Sequence, residues 1–103
     1  MTRSAVLTPL AQRELQHALR EIAKDNKAAA RGLNDAVLEA ANRLGASPGL
    51  GRLALYVPPR YRFWSLTQYG YLLVYDATLE PVQIVRVVST RRDLPRLLAD
   101  LPQ

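Results

Sequence analysis

The feature that most constrains the fold is a pair of strand-like segments, residues 71–76 and 82–89, joined by a short link. The second segment is apolar on both sides. Its apolar residues alternate between the two faces, with Val82, Ile84 and Val88 on one and Val85 and Val87 on the other. A strand that is apolar on both faces is typical of a central position, with another layer packed against each face. The rest of the chain must therefore supply two coverings for one sheet.

Two amphipathic helices precede these strands. Thr8 is a good N-cap for the first helix, and Pro9 suits its first position, where the missing N–H costs nothing. Asp25 or Asn26 can cap the second helix, which Gly45 ends. The apolar stripes of the two helices have helical spacing and comprise Leu15, Ala18, Leu19 and Ile22, then Ala30, Leu33, Val37, Ala40 and Leu44. Because the link is short, we expect an antiparallel helix hairpin packed through these stripes.

Further short elements complete the predicted fold. Strands are predicted at residues 3–8 and 60–67, with a brief strand start at residues 53–57 that a Pro-Pro step ends. Short links arrange the last three strands as an antiparallel meander. The leucine-rich end, capped by Asp93, has helical spacing. The sequence thus predicts one α+β domain over residues 1–103: an N-terminal strand and a helix hairpin packed on a small antiparallel sheet, with a short C-terminal helix.

Composition limits the chemistry that the chain can perform. It has no cysteine and a single histidine, His17, so thiolate catalysis, disulfides and a histidine–cysteine metal cluster are excluded, and we expect no metal or cofactor. We expect a cytoplasmic protein, because the sequence has neither a long apolar run nor a signal-like N-terminus. The net charge of +5 rests mainly on arginine, whose planar fork suits phosphate and carboxylate, so an acidic partner is predicted.

Several short motifs, taken in order, resemble one known superfamily. They are Leu-Thr-Pro-Leu-Ala at residues 7–11, Pro48 followed by Gly51-Arg52, Tyr-Leu-Leu-Val-Tyr at 71–75, Ile-Val-Arg-Val-Val at 84–88 and Arg-Arg-Asp-Leu-Pro at 91–95. Their order and spacing resemble the RelE/ParE superfamily of type II toxin–antitoxin toxins. The resemblance implies a fold of strand, helix hairpin and three-stranded meander. It also implies a toxin that a cognate antitoxin controls.

The resemblance favours the ParE-like branch over the RelE-like branch. RelE-type toxins cleave messenger RNA on the ribosome with basic residues on their middle strands. Here Leu72 stands where those ribonucleases often carry arginine, and Ser89 and Thr90 replace a common His-Gly step. ParE-type toxins are similar in fold but bind DNA gyrase and trap its cleaved-DNA state. Two alternatives stay open: a ribosome-dependent endoribonuclease using Arg91 with Arg86 or Arg62, and a non-toxic binding module.

Arginines and leucines are the candidate binding residues. The arginines proposed to contact gyrase, or alternatively the ribosome and messenger RNA, are Arg60, Arg62, Arg86, Arg91 and Arg92. For Arg86, a buried pair with a carboxylate such as Asp76 or Asp93 competes with a partner-facing role, because an unpaired buried charge is very costly. The candidate antitoxin contacts are Leu94, Leu97, Leu98 and Leu101. The competing interpretation is that this tail folds back on its own sheet.

Overall fold

The computed structural model describes residues 3–103 and contains the predicted α+β arrangement. The elements run in the order β1 (Val6–Leu7), α1 (Pro9–Ala23), α2 (Lys27–Ala46), β2 (Tyr61–Leu66), β3 (Tyr71–Asp76), β4 (Gln83–Ser89) and α3 (Leu94–Leu97), with 3-10 turns at Pro48–Leu50 and Thr67–Tyr69. The helix hairpin and the short C-terminal helix are therefore confirmed. The strand start predicted at residues 53–57 is wrong, because this segment forms turns and only an isolated bridge joins Arg52 to Phe63.

The four strands form one sheet in the order β1-β4-β3-β2. The predicted meander is confirmed, since β2, β3 and β4 pair antiparallel in succession. However, β1 pairs parallel to β4, so the sheet is mixed rather than wholly antiparallel. A parallel pair requires a long crossover, and here the helix hairpin and the two intervening strands return the chain in the original direction. Strand β4 is central, as its two apolar faces predict.

Side-chain caps fix where each helix begins. The Thr8 hydroxyl accepts a hydrogen bond from the Ala11 amide at 3.2 Å, and Pro9 occupies the first turn of α1. Of the two candidate caps for α2, Asn26 serves, accepting from the Ala29 amide at 3.0 Å. Asp93 caps the single turn of α3. These caps satisfy backbone donors that have no partner inside a helix.

The sheet separates two apolar cores. The helix hairpin covers one face, where Leu33, Leu44 and Tyr75 lie in the first core. The loop after α2 and the C-terminal tail cover the other face, where Phe63 and Leu98 belong to the second core. The side chains of β3 alternate between the two, so both of its faces are buried. Each face of the sheet is therefore covered by a packed layer, as predicted from the two apolar faces of β4.

A β-bulge changes which residues of β4 face the helices. The pairing of β3 with β4 shifts register between Val74 and Tyr75, which face Arg86 and Ile84 respectively. In a regular strand, side chains an odd number of residues apart lie on opposite faces. Across the shift, such side chains lie on the same face. Ile84 and Val87 both lie in the helix-side core, whereas Val88 lies in the tail-side core. The sequence-based assignment of the two faces is thus wrong past the bulge, because an extra residue breaks the two-residue period.

Candidate functional site

Arg86 forms a shielded ion pair with Glu14 of α1. Its Nη2 lies 2.8 Å from Glu14 Oε2, and the two side chains are 12% and 19% exposed. Glu14 Oε1 also accepts a hydrogen bond from the Val87 amide at 2.9 Å. The hydrogen bond to Glu14, opposed by burial, raises the pKa of Arg86 above its ordinary value. The prediction of a paired arginine is therefore correct, but its partner is neither Asp76 nor Asp93.

Arg60 forms a second ion pair, with Asp76 at the end of β3. Arg60 Nη2 lies 2.6 Å from Asp76 Oδ2, and the carboxylate is almost fully buried. Burial by itself would raise the pKa of Asp76. Hydrogen bonds from the Thr78 hydroxyl and amide and from Arg60 outweigh that effect and lower the pKa below its ordinary value. The pair fixes the end of β3 to the start of β2.

Arg62 belongs to a hydrogen-bonded cluster that holds the loop after α2. Arg62 Nη1 donates to the Gly51 carbonyl at 2.9 Å. The buried Tyr75 hydroxyl accepts from the Gly51 amide at 2.8 Å and donates to the Pro48 carbonyl at 2.6 Å. Burial, opposed by the hydrogen bond from Gly51, raises the pKa of Tyr75. Arg62 and Tyr75 thereby satisfy loop backbone groups that would otherwise lie unpaired beside the core.

Arg91 and Arg92 differ from these three arginines because both are exposed. Within residues 3–103, neither guanidinium has a hydrogen-bond or ion-pair partner. The backbone that carries them is nevertheless ordered: the Arg91 amide donates to the Ser89 hydroxyl at 3.2 Å, and the Arg92 amide to the Ser89 carbonyl at 3.2 Å. The turn after β4 therefore carries two exposed guanidinium groups that have no partner among residues 3–103, on a hydrogen-bonded backbone.

Two arginines of the nuclease alternative, Arg62 and Arg86, lie on opposite faces of the sheet. Arg62 lies opposite Tyr75 in the sheet, and Tyr75 belongs to the helix-side core. Arg86 lies opposite Val74, which belongs to the tail-side core. Residues that pair across antiparallel strands point to the same face. Arg62 and Arg86 therefore emerge on opposite faces of the sheet, so no more than one of them can join Arg91 on either face.

The C-terminal leucines fold back onto the sheet of their own chain. Leu98 is 1% exposed and Leu101 is 9% exposed, and both belong to the tail-side core. Leu94 and Leu97 are half-buried at the margin of that core. The back-folded alternative thus describes where the tail lies. Antitoxin contact by these leucines stays a prediction.

Another apolar surface lies between the two long helices. An open cavity of about 500 Å³ is lined mainly by apolar groups, with Leu19, Ala23 and Ala30 among its residues. Arg20 and Arg31 line this cavity together with Asp35.

Neither a membrane helix nor a metal site is found among residues 3–103. No helix there is long and apolar enough to cross a membrane, and no cluster of acidic or histidine residues could hold a metal ion.

Glu14, the partner of Arg86, is not among the residues predicted from the sequence. Glu14 lies three residues after Ala11 and four before Ala18, both of which are buried. Residues at this spacing share one helix face. A carboxylate within the apolar stripe, in a chain that also carries a mid-strand arginine, was the signal that could have identified the pair.

The comparisons with known proteins agree with this architecture. No curated protein matches the chain at a significant level. A solved structure of the chromosomal ParDE TA system from P. aeruginosa superposes with a TM-score of 0.68 at 19% sequence identity, covering 85% of this chain and 96% of that one, which is a similarity of fold. The family model described as "ParE toxin of type II toxin-antitoxin system, parDE" matches residues 5–94. The chain therefore belongs to the ParE toxin family of type II toxin–antitoxin systems.

Proposed function

We propose that this toxin inhibits DNA gyrase and that a cognate antitoxin neutralises it. The observation that carries the proposal is the pair of exposed guanidinium groups of Arg91 and Arg92, which have no partner in the described part of the chain and lie on the hydrogen-bonded turn after β4. The other candidate arginines, Arg60, Arg62 and Arg86, are each held by contacts within the chain. Arginines without an internal partner are free to contact carboxylate or phosphate on a target. Gyrase acts on chromosomal DNA, so the proposal carries a cytoplasmic location with it.

The mechanism we infer is stoichiometric binding rather than bond cleavage. Acid–base cleavage of RNA requires a general base, a general acid and positive charge converging on one phosphate. Both arginines that could assist Arg91 are held by contacts within the chain, Arg62 by the Gly51 carbonyl and Arg86 by Glu14, which argues against such a set. Contact through Arg91 and Arg92 requires only a complementary acidic surface. This favours gyrase inhibition over the ribonuclease alternative.

A supercoiling and cleavage assay with purified gyrase, relaxed plasmid and ATP tests the proposal. We expect the wild-type protein to block supercoiling and to accumulate linear, protein-linked DNA. The double variant R91A/R92A should lose about tenfold or more in potency, since a hydrogen bond to a charged group contributes about 1.5–3 kcal/mol. The matched control is R20A/R31A, which removes two exposed arginines from the helices and leaves the turn after β4 intact.

The other outcomes distinguish the alternatives. Normal supercoiling at a large excess of wild-type protein contradicts the gyrase proposal. Cleavage of messenger RNA in a ribosome-containing translation reaction, abolished by R91A, would then support the endoribonuclease alternative. Absence of both activities, together with normal growth during expression of the chain, would support a non-toxic binding module.

For antitoxin binding we propose the half-buried leucines Leu94 and Leu97 as contacts. Both retain exposed apolar surface at the margin of the tail-side core. Leu98 and Leu101, the other two candidates, take part only if antitoxin binding displaces the tail, because both are buried in the free chain. Burial of exposed apolar area is the main favourable contribution to such association. An antitoxin that binds L94D/L97D as tightly as wild type would contradict these contacts.

A further inference from the structure

The loop between α2 and β2 carries a concentration of exposed apolar side chains. Among residues 3–103, more than half of the exposed large apolar side chains belong to this loop: Leu50, Leu53, Leu55 and Tyr56. These residues together are called the loop patch. Leu53 is 56% exposed and Leu55 is fully exposed. Single exposed apolar residues are normal on a protein surface, whereas a cluster of them marks an interaction site.

The loop patch stands on a backbone that the protein holds in place. The Arg52 amide donates to the Phe63 carbonyl at 2.9 Å, and the Arg52 carbonyl accepts from the Phe63 amide at 2.8 Å. At the other end of the patch, Val57 is buried in the tail-side core, and its amide donates to the Ala54 carbonyl at 3.3 Å. The Tyr56 ring packs edge-on against Phe63, with the ring centroids 5.8 Å apart. Because the loop is already ordered, binding through it costs little conformational entropy.

The loop patch lies beside a cation, in a part of the sequence without carboxylates. Residues 40–75 contain four arginines and no aspartate or glutamate. One of these arginines, Arg52, is exposed and stacks on the same Phe63 ring as Tyr56, with its guanidinium carbon 5.3 Å from the ring centroid. Arg52 has no ion-pair partner in the described part of the chain. The complementary partner surface is therefore apolar and bordered by carboxylates.

Arg52 reaches the end of the sheet where β4 leads into Arg91 and Arg92. Arg52 Nη1 donates to the Ser65 hydroxyl at 3.4 Å. Through β3, Ser65 shares a cross-strand row with Val88, near the end of β4. Neighbouring strands lie about 4.8 Å apart, so this row spans about 10 Å. A protein interface of about 800 Å² per partner is about 30 Å across, so one partner surface can contact the loop patch and both arginines of the turn after β4.

We propose that the loop patch docks into an apolar pocket, bordered by carboxylates, on the target protein of this toxin. The inference rests on the proposed function, which makes that target gyrase. Leu53 and Leu55 fill the pocket, and Arg52 pairs with a carboxylate at its border. Arg91 and Arg92 contact the same target outside the pocket. The loop patch thus supplies the apolar centre of an interface whose charged contacts lie around it.

Other occupants fit the loop patch less well. In a symmetric dimer the same surface meets itself, so Arg52 of each copy would face a surface without carboxylates. Single-stranded nucleic acids stack their bases on aromatic rings, whereas the loop patch consists mainly of leucine and its one aromatic residue, Tyr56, already packs against Phe63. Binding at a membrane interface typically uses the long apolar face of an amphipathic helix, and the loop patch is a short loop.

Binding of the full chain to immobilised, purified gyrase holoenzyme, together with the supercoiling assay, tests this inference. The variant L53S/L55S removes the apolar contact and keeps the net charge. We expect it to weaken binding and inhibition about tenfold or more, because contacts at the centre of an interface contribute most of its affinity. The matched control is L10S/L38S, which alters two exposed leucines of the helices and should stay within about twofold of wild type. Circular dichroism and thermal unfolding report whether each variant is folded.

The salt dependence of binding separates the charged contact from the apolar one. R52E replaces the cation by an anion, and its loss of binding should shrink as the salt concentration rises, because salt screens exposed charges. The loss in L53S/L55S should persist at high salt, because burial of apolar surface does not depend on charge. Losses that shrink equally with salt in both variants would contradict the apolar pocket.

Failure of this inference and failure of the proposed function give different results. If L53S/L55S binds and inhibits gyrase within about twofold of wild type, the inference is overturned and the proposed function stands. If the wild-type chain does not bind gyrase, both are overturned. Other binding of the wild-type chain that L53S/L55S abolishes would assign the loop patch to another occupant and overturn the inference. The probes for such binding are single-stranded oligothymidylate, phosphatidylglycerol vesicles and, in sedimentation, a second copy of the chain.

Discussion

At the scale of single residues, two carboxylates hold two of the candidate arginines in contacts within the protein. Glu14 and Asp76 each engage one arginine and also accept hydrogen bonds from neighbouring groups. Arg62 has no carboxylate partner but is held by the Gly51 carbonyl, whereas Arg91 and Arg92 are exposed and have no side-chain partner among residues 3–103. Contacts within the chain therefore distinguish Arg60, Arg62 and Arg86 from the exposed Arg91 and Arg92, which we propose contact the target.

Replacing Glu14 by alanine should destabilise the protein strongly. The change leaves the shielded Arg86 guanidinium and the Val87 amide without their acceptor. Removing one partner of a buried pair costs about 3–5 kcal/mol, and partial exposure of this pair places the expected loss at about 2–4 kcal/mol. Urea denaturation measures it. The control is Glu21→Ala, which breaks an exposed pair with Lys24 and should cost less than about 1 kcal/mol. Equal losses for the two variants would contradict the role given to Glu14.

Asp76 should make stability depend on pH in the acid range. Its folded pKa is lowered below the ordinary value of 3.8, so the ionised carboxylate adds stability at neutral pH. That contribution is lost as the pH falls through the lowered folded pKa. Asp76→Asn should therefore be less stable than wild type at about pH 7, and the difference should narrow toward about pH 2.5. Urea midpoints across this range measure it, and a constant difference would refute the assignment.

At the scale of elements, the loop between α2 and β2 depends on close contact with the sheet. Tyr75 and Arg62 bind the backbone of this loop around Gly51. The φ of Gly51 is −72°, which any residue adopts, so contact distance and not backbone conformation is what requires glycine there. The loop then turns so that its bridge to Phe63 covers the outer edge of β2.

Gly51→Ala should distort this loop. A Cβ at Gly51 would lie 2.5 Å from the Tyr75 hydroxyl and 2.8 Å from the Phe63 carbonyl, which is backbone and cannot easily move. Overpacking of this kind costs about 1–3 kcal/mol. The matched control is Gly49→Ala in the same loop, where nothing lies within 4 Å of the new Cβ. Thermal unfolding of both variants measures the difference, and similar melting temperatures would show that the contact does not matter.

At the scale of the whole molecule, one sheet joins two cores. Strand β3 contributes Leu73 and Tyr75 to the helix side and Leu72 and Val74 to the tail side. Loss of packing in either core would expose one face of β3, the strand that both cores share. We therefore expect the protein to unfold in a single cooperative transition.

Leu33→Ala and Leu98→Ala test this cooperativity from opposite sides. Leu33 of α2 is fully buried in the helix-side core, and Leu98 of the C-terminal tail is 1% exposed in the tail-side core. Each truncation should cost about 2–5 kcal/mol and shift the whole transition. Denaturation followed by Trp64 fluorescence and by far-ultraviolet circular dichroism should give coincident curves for both variants. A tail that unfolds separately in Leu98→Ala would contradict a single folding unit.

The sequence by itself determined the local structure and the class of fold. Thr8, Asn26 and Asp93 cap the helices that follow them, because capping depends on residues within one turn. Apolar periodicity likewise located the helix hairpin and the meander, since side-chain spacing fixes which face of each element is buried. The order of these motifs was enough to identify the RelE/ParE superfamily, and the missing ribonuclease residues favoured its ParE branch, which the family model supports.

Only the tertiary structure decided how distant segments meet. The Arg86–Glu14 pair joins residues 72 positions apart, and local spacing carries no information about such a partner. The bulge in β4 and the parallel pairing of β1 likewise depend on strand register across the sheet. These long-range contacts leave Arg91 and Arg92 exposed and without a side-chain partner in the described part of the chain. The proposed binding surfaces are therefore products of packing, because they consist of groups that the rest of the chain does not occupy.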